Sequence, residues 1–178
     1  MKREFDNIYN AGYFKRNKIE GKKLEFDNGW SVSEIKLKMD PGTTTGITIR
    51  NDEDAANALF NNWDHDLINI QEQIGCLFLN SKHEVIGYRI ISTGKTHSSS
   101  FNHNMMITCA LLCKARSIIL AHNHPDENLT PSNQDIKFTR RVMELLELFE
   151  ISLIDHIILS KEGYFSFANH ELVIITDN

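Results

Sequence analysis

The chain has 178 residues, 41% of them hydrophobic and 24% charged, with a formal net charge of −5. That is enough apolar material for one domain with a real core, and the balance is too acidic for unspecific gripping of a phosphate backbone, which needs clustered cations. Three cysteines, Cys76, Cys109 and Cys113, are too few for a disulfide framework. No apolar run reaches the length of a membrane span, and no hydrophobic signal core follows Met1-Lys2-Arg3, so a cytoplasmic protein without membrane contact is expected.

In chain order, residues 1–50 read as an N-terminal extension. Residues 1–23 are polar with scattered aromatics, too sparse to specify a core. Residues 30–39 alternate apolar and polar side chains as a strand does, Pro41-Gly42 makes a turn, and residues 43–50 are β-branched enough for another extended piece. This extension carries a slight cationic excess over an acidic remainder, so a nucleic-acid or protein partner would be met through it. Residues 51–178 read as the main domain. Asn51-Asp52 opens a helix in which Asp52, Glu53 and Asp54 offer caps and favourable charge, with Ala55, Leu59, Phe60 and Trp63 as its apolar stripe. Residues 71–80 predict a buried strand, residues 80–83 a hairpin turn, and residues 85–91 the returning strand. An exposed polar loop spans residues 92–100, and a helix over residues 101–114 holds Met105, Met106, Leu111 and Leu112. A strand over 117–121, a helix over 132–148, a strand over 151–159, a turn at 161–163 and a strand over 164–167 complete the order. Hairpins beside a strand–helix–strand crossover predict an α/β fold, a mixed β-sheet flanked by helices.

The stretch that carries chemistry is Ile118-Ile119-Leu120-Ala121-His122-Asn123-His124-Pro125, followed by a loop and then Pro131-Ser132-Asn133-Gln134-Asp135. Residues i and i+2 of a strand share a face, so His122 and His124 point one way if the pleat persists to the strand's end. Pro131-Ser132 reads as a helix start, and Asp135 lies one turn along on the same side. Two imidazoles and one carboxylate leave zinc a fourth, open position for water, as a catalytic site requires. Asn123 should face the other way and make a structural or supporting bond. Asp155-His156 opens another apolar run and is read as a buried hydrogen-bonding pair in preference to a prop for a metal ligand. His65, His83, His97, His103 and His170 have no ligand-like context, and Cys109 and Cys113, four residues apart, are read as core packing.

His122-x-His124, Asp135, and Ser132 three residues before it resemble the JAMM signature of MPN/JAB metalloproteases. The runs Ile-Leu-Ala-His-Asn-His-Pro, Pro-Ser-x-x-Asp and Leu153-Ile154-Asp155-His156-Ile157-Ile158 narrow the resemblance to the bacterial RadC family, named for DNA repair. It covers residues 54–168. The resemblance implies a JAB/MPN sandwich of the cytidine-deaminase-like kind, Zn2+ on His122, His124 and Asp135, and a glutamate on an early strand as general base. Glu72 is the best-matching position for that base; by itself, it could equally begin a strand in solvent. Ser132 has two available jobs, capping its helix or orienting water and stabilising a developing oxyanion as the JAMM-like serine. The chain departs from the RadC pattern in three places. Asp126-Glu127 stand where Ser-Gly is usual and are read as solvated, His103-Asn104-Met105 replace a Pro-Arg-Glu run, and the helix-hairpin-helix region that often precedes the domain has no counterpart.

The implied function is zinc-dependent hydrolysis of a peptide or isopeptide amide bond in a protein substrate, with a link to DNA repair through the family. The alternative is a non-catalytic interaction module docked by residues 1–50 onto DNA or a repair or replication protein. A zinc deaminase needs His-x-Glu and Pro-Cys-x-x-Cys, and neither is present.

Overall fold

The computed structural model describes residues 46–94 and 101–172. The extended arm, the strand over residues 30–39 and the Pro41-Gly42 turn lie outside them, as does His97. The described elements run α1 (Asp52–Asn61), β1 (Gln73–Leu79), β2 (Val85–Thr93), α2 (His103–Cys113), β3 (Ser117–Asn123), α3 (Asn133–Glu147), β4 (Ser152–Leu159) and β5 (Tyr164–Ser166). They form one five-stranded mixed sheet of order β2-β1-β3-β4-β5. β3 and β4 pair in parallel, joined by α3, and the remaining neighbours are antiparallel. The mixed α/β fold expected from the strand and helix pattern is the one observed.

Helices cover both faces, which explains why β1 and β3 are near-continuous apolar runs buried at every position. Ile74, Cys76 and Phe78 of β1 and Ile118 and Leu120 of β3 pack with Met106, Ala110, Phe138, Val142 and Leu146 of α2 and α3. The alternate residues, Leu77, Leu79, Ile119 and Ala121, pack with Ala55, Ala58, Leu59 and Trp63 on the side of α1. Every residue of β3 therefore has a fixed address, and parity decides which helix layer it meets.

Several local expectations shift. α1 is capped by Asn51, whose Oδ1 accepts from Asp54 N at 2.7 Å. Asp52 instead accepts from Tyr164 Oη at 3.1 Å and Asn169 Nδ2 at 2.5 Å, tying the helix start to the chain after β5. The helix stops at Asn61, so Trp63 reaches the core from the turn beyond it. β2 continues to Thr93, because Gln73 pairs with Thr93 and keeps the strand in the ladder. The hairpin turn forms as expected: Asn80 Oδ1 accepts from Lys82 N and Glu84 N, while His83 takes φ 58°. Of the extended piece at residues 43–50, the described part makes one bridge, Thr48 to Glu84. No described helix is long and apolar enough to cross a membrane.

Candidate metal centre

β3 runs two residues further than the apolar pattern alone requires, through His122 and Asn123, and this extension builds the site. His122 pairs with Ile74 of β1 on one side and Ile158 of β4 on the other, so its backbone is held from both flanks. By parity its ring falls on the α2/α3 face. Asn123 falls on the opposite face, where it is fully buried. Its Oδ1 accepts from Gln73 N at 2.7 Å, and its Nδ2 donates to Ile68 O at 2.6 Å and Gln71 O at 2.9 Å. The supporting role expected of Asn123 is thus specific: it fastens the segment leading into β1. His124 leaves the strand but stays anchored, its N donating to Leu159 O at 3.1 Å.

The third group arrives from α3. Ser132 is its N-cap, with a reciprocal capping box: Asp135 N donates to Ser132 Oγ at 3.2 Å and Ser132 N donates to Asp135 Oδ2 at 2.7 Å. The Ser132 hydroxyl also donates to Asp135 Oδ2 at 2.6 Å, so the serine orients the carboxylate as well as capping the helix. His122, His124 and Asp135 each bring one donor atom into a group whose members all lie within 4.8 Å of one another. His122 Nε2 is 2.9 Å from His124 Nε2 and 3.5 Å from Asp135 Oδ1, while His124 Nε2 is 3.8 Å from Asp135 Oδ2. An ion bound at about 2.0–2.1 Å from each donor fits between atoms at such spacings. Among the described residues this is the only such group, and it could hold a metal ion.

Both rings turn the same nitrogen to the centre. His124 Nδ1 donates to Asn128 O within its own loop, leaving Nε2 for the site. His122 Nδ1 lies 2.8 Å from His156 Nε2. Burial pushes the His122 imidazole down to about 4, outweighing the upward pull of the Asp135 carboxylate, so the ring is neutral at physiological pH, as ligation requires.

Glu72 sits immediately before β1, half-buried, with its carbonyl accepting from Gly94 N at 2.8 Å. It is not one of the clustered donors. Glu72 directly precedes Gln73, whose N donates to Asn123 Oδ1 at 2.7 Å. Asp126 and Glu127 are exposed but not idle. Asp126 Oδ1 accepts from Asn128 N at 3.2 Å, and Glu127 Oε1 accepts from Asn69 Nδ2 at 2.7 Å, linking the loop after the histidines to the one before Glu72.

The Asp155-His156 pair keeps one buried bond, His156 N to Asp155 Oδ1 at 2.7 Å, but the side chains part and the His156 ring turns to His122, which corrects the preference against a prop for a metal ligand. Neighbours on a strand face opposite ways. Asp155 accepts from His156 N, Ala168 N and Ser166 Oγ and serves the fold, although burial raises its carboxyl. His156, fully buried, reaches the back of His122. Thr139 behind it drew no attention in the sequence, because a threonine on the apolar side of an amphipathic helix carries no chemical signal of its own. Of the other histidines described, His65 meets Phe60, His103 meets Phe101 and His170 stacks on Phe165, all outside the cluster. The three cysteines are free thiols, and Cys76 is in the core.

Comparison with known proteins agrees with this geometry. The family described as RadC-like JAB domain matches residues 49–172. The chain is similar to UPF0758 proteins: 31% identical over 182 residues to that of Fusobacterium nucleatum, covering 96% of this chain and 76% of the relative. It is 42% identical over 96 residues to that of Enterococcus faecalis, covering 54% of this chain and 41% of the relative, and 37% identical over 101 residues to that of Actinobacillus succinogenes. The chain thus spans less than half the length of several of the curated relatives it matches.

Proposed function

This chain belongs to the RadC family, with a RadC-like JAB domain, and from that premise we propose that it is a zinc-dependent hydrolase of peptide or isopeptide amide bonds. The observation that carries the reading is the convergence of His122, His124 and Asp135 from the end of β3 and the start of α3. When bound there, zinc supplies Lewis acidity that brings a water molecule's pKa toward neutrality and polarises the scissile carbonyl. Glu72 takes the proton released by that water and returns it to the leaving nitrogen. Its place at the entry to β1, in a segment pinned by Asn123 next to the two histidines in sequence, supports the assignment. Ser132 holds Asp135 in position with its one hydroxyl proton, and in the proposed reaction that proton turns from Asp135 Oδ2 to the developing oxyanion. The substrate is a peptide or protein, and DNA or a repair protein is a partner proposed for residues 1–50.

The test pairs metal content with turnover. Purified protein is expected to carry about one zinc per chain, lost in Asp135→Ala. Glu72→Gln should keep the zinc and lose roughly 10²–10⁴ in turnover on a responsive peptide substrate. Absence of zinc even after incubation with excess metal would defeat the reading, and a fully active Glu72→Gln would remove Glu72 from it.

A further inference from the structure

Behind the candidate metal centre lies a buried chain of hydrogen bonds that ends on a backbone carbonyl. Thr139 Oγ1 is 2.6 Å from Asp135 O and 2.6 Å from His156 Nδ1, and His156 Nε2 is 2.8 Å from His122 Nδ1. Thr139, His156 and His122 are all at most 2% exposed, so no solvent enters the chain. Its proton order follows from counting hydrogens. A carbonyl has none, and two oxygens at 2.6 Å repel unless a hydrogen lies between them, so the single Thr139 hydroxyl proton points at Asp135 O. Thr139 must then accept from His156 Nδ1–H. His156 is fully buried, with Phe167 stacked on its face and its two ring nitrogens against Thr139 Oγ1 and His122 Nδ1, so it carries one ring proton, and its bare Nε2 accepts from His122 Nδ1–H. The His122 lone pair is left on Nε2, aimed at His124 Nε2 and Asp135 Oδ1.

We propose that Thr139 and His156 are positioning residues that lock His122 in the tautomer able to ligate a metal, with the Asp135 carbonyl setting the direction of the whole relay. The same residue that supplies the site's carboxylate thereby sets, through its own backbone, which nitrogen of the first imidazole is bare. Without the threonine hydroxyl the order reverses: His156 donates from Nε2, His122 accepts at Nδ1, and its Nε2–H donates to His124 Nε2. The 2.9 Å gap between the two rings is then closed by a proton instead of a cation. The relay rests on the reading of His122 as a metal ligand for its purpose, but not for its existence.

The experiment reads tautomers directly. Full-length protein with ¹⁵N-labelled histidine, kept metal-free with a chelator, is examined by long-range ¹H–¹⁵N correlation spectroscopy. His122 and His156 are both expected to be protonated at Nδ1 in the wild type and in Thr139→Ser. Both are expected at Nε2 in the near-isosteric Thr139→Val. Zinc titration should then show affinity about 10- to 100-fold weaker in Thr139→Val and restored in Thr139→Ser. A wild-type His122 protonated at Nε2 would overturn the proposal without recourse to any variant, as would a Thr139→Val protein with unchanged tautomers and affinity. Wild-type protein that shows the expected tautomers yet binds no zinc would instead defeat the proposed function and leave the relay standing.

Discussion

Ser132 concentrates two roles on one hydroxyl. Its proton is given to Asp135 Oδ2 at 2.6 Å while its oxygen accepts from Asp135 N, so the helix cap and the carboxylate's orientation are one arrangement. Ser132→Ala is expected to cost about 1 kcal/mol of stability, measured by chemical denaturation, and to weaken zinc binding because Asp135 loses a donor. If zinc affinity is untouched, the hydroxyl serves the cap alone. At this scale the sequence was informative about His122, His124, Asp135 and Ser132, whose spacing says which side chains can meet. It was silent about Thr139 and misjudged His156, since nothing in their spacing says that a helix and a strand place them in series behind His122.

β1 shows how an element can be specified by its two faces separately. Ile74, Cys76 and Phe78 serve the α2/α3 layer, and Leu77 and Leu79 the α1 layer. Gly75 lies on the α1 side, where a Cβ would meet Trp63 Cζ3 at 3.0 Å, Ile90 Cδ1 at 3.2 Å and Tyr88 Cε2 at 3.2 Å. Two rings and a packed isoleucine cannot all retreat. Gly75→Ala is therefore expected to destabilise by about 1–3 kcal/mol in denaturant titration, with metal stoichiometry the same as in wild type because the candidate metal centre occupies the other face. Loss of metal at full stability would show that the faces are not independent. Period-two alternation was legible in the sequence, but which face met which helix was not.

Across the whole molecule, burial of neutral imidazoles couples stability to pH. His122 is held near 4 and His156 well below its ordinary value of 6.5, chiefly by burial. As pH falls below about 6.5, the unfolded chain binds protons that the folded chain refuses, so stability falls, by up to about 1.4 kcal/mol per pH unit for each ring. Asp155, raised by burial, acts with the opposite sign, gaining its proton more readily when folded. The thermal midpoint of chelator-treated protein is expected to drop steadily from pH 7 to pH 5. A level profile over that interval would contradict neutral, buried histidines.

The sequence by itself determined the fold class, the order of the elements, the three donor residues of the candidate centre and its placement where a strand hands over to a helix. All of these follow from local periodicity, caps and short-range spacing, which a chain expresses before it folds. Tertiary structure alone decided the rest: that Asn123 fastens the Glu72 segment, that Asp155 and His156 serve opposite faces, and that Thr139 stands behind His156. Those relations join residues far apart in the chain through strand register and helix docking. They exist only once β3 is paired with β1 and β4 and α3 lies across one face, because buried groups are paired by the packing that excludes water from them.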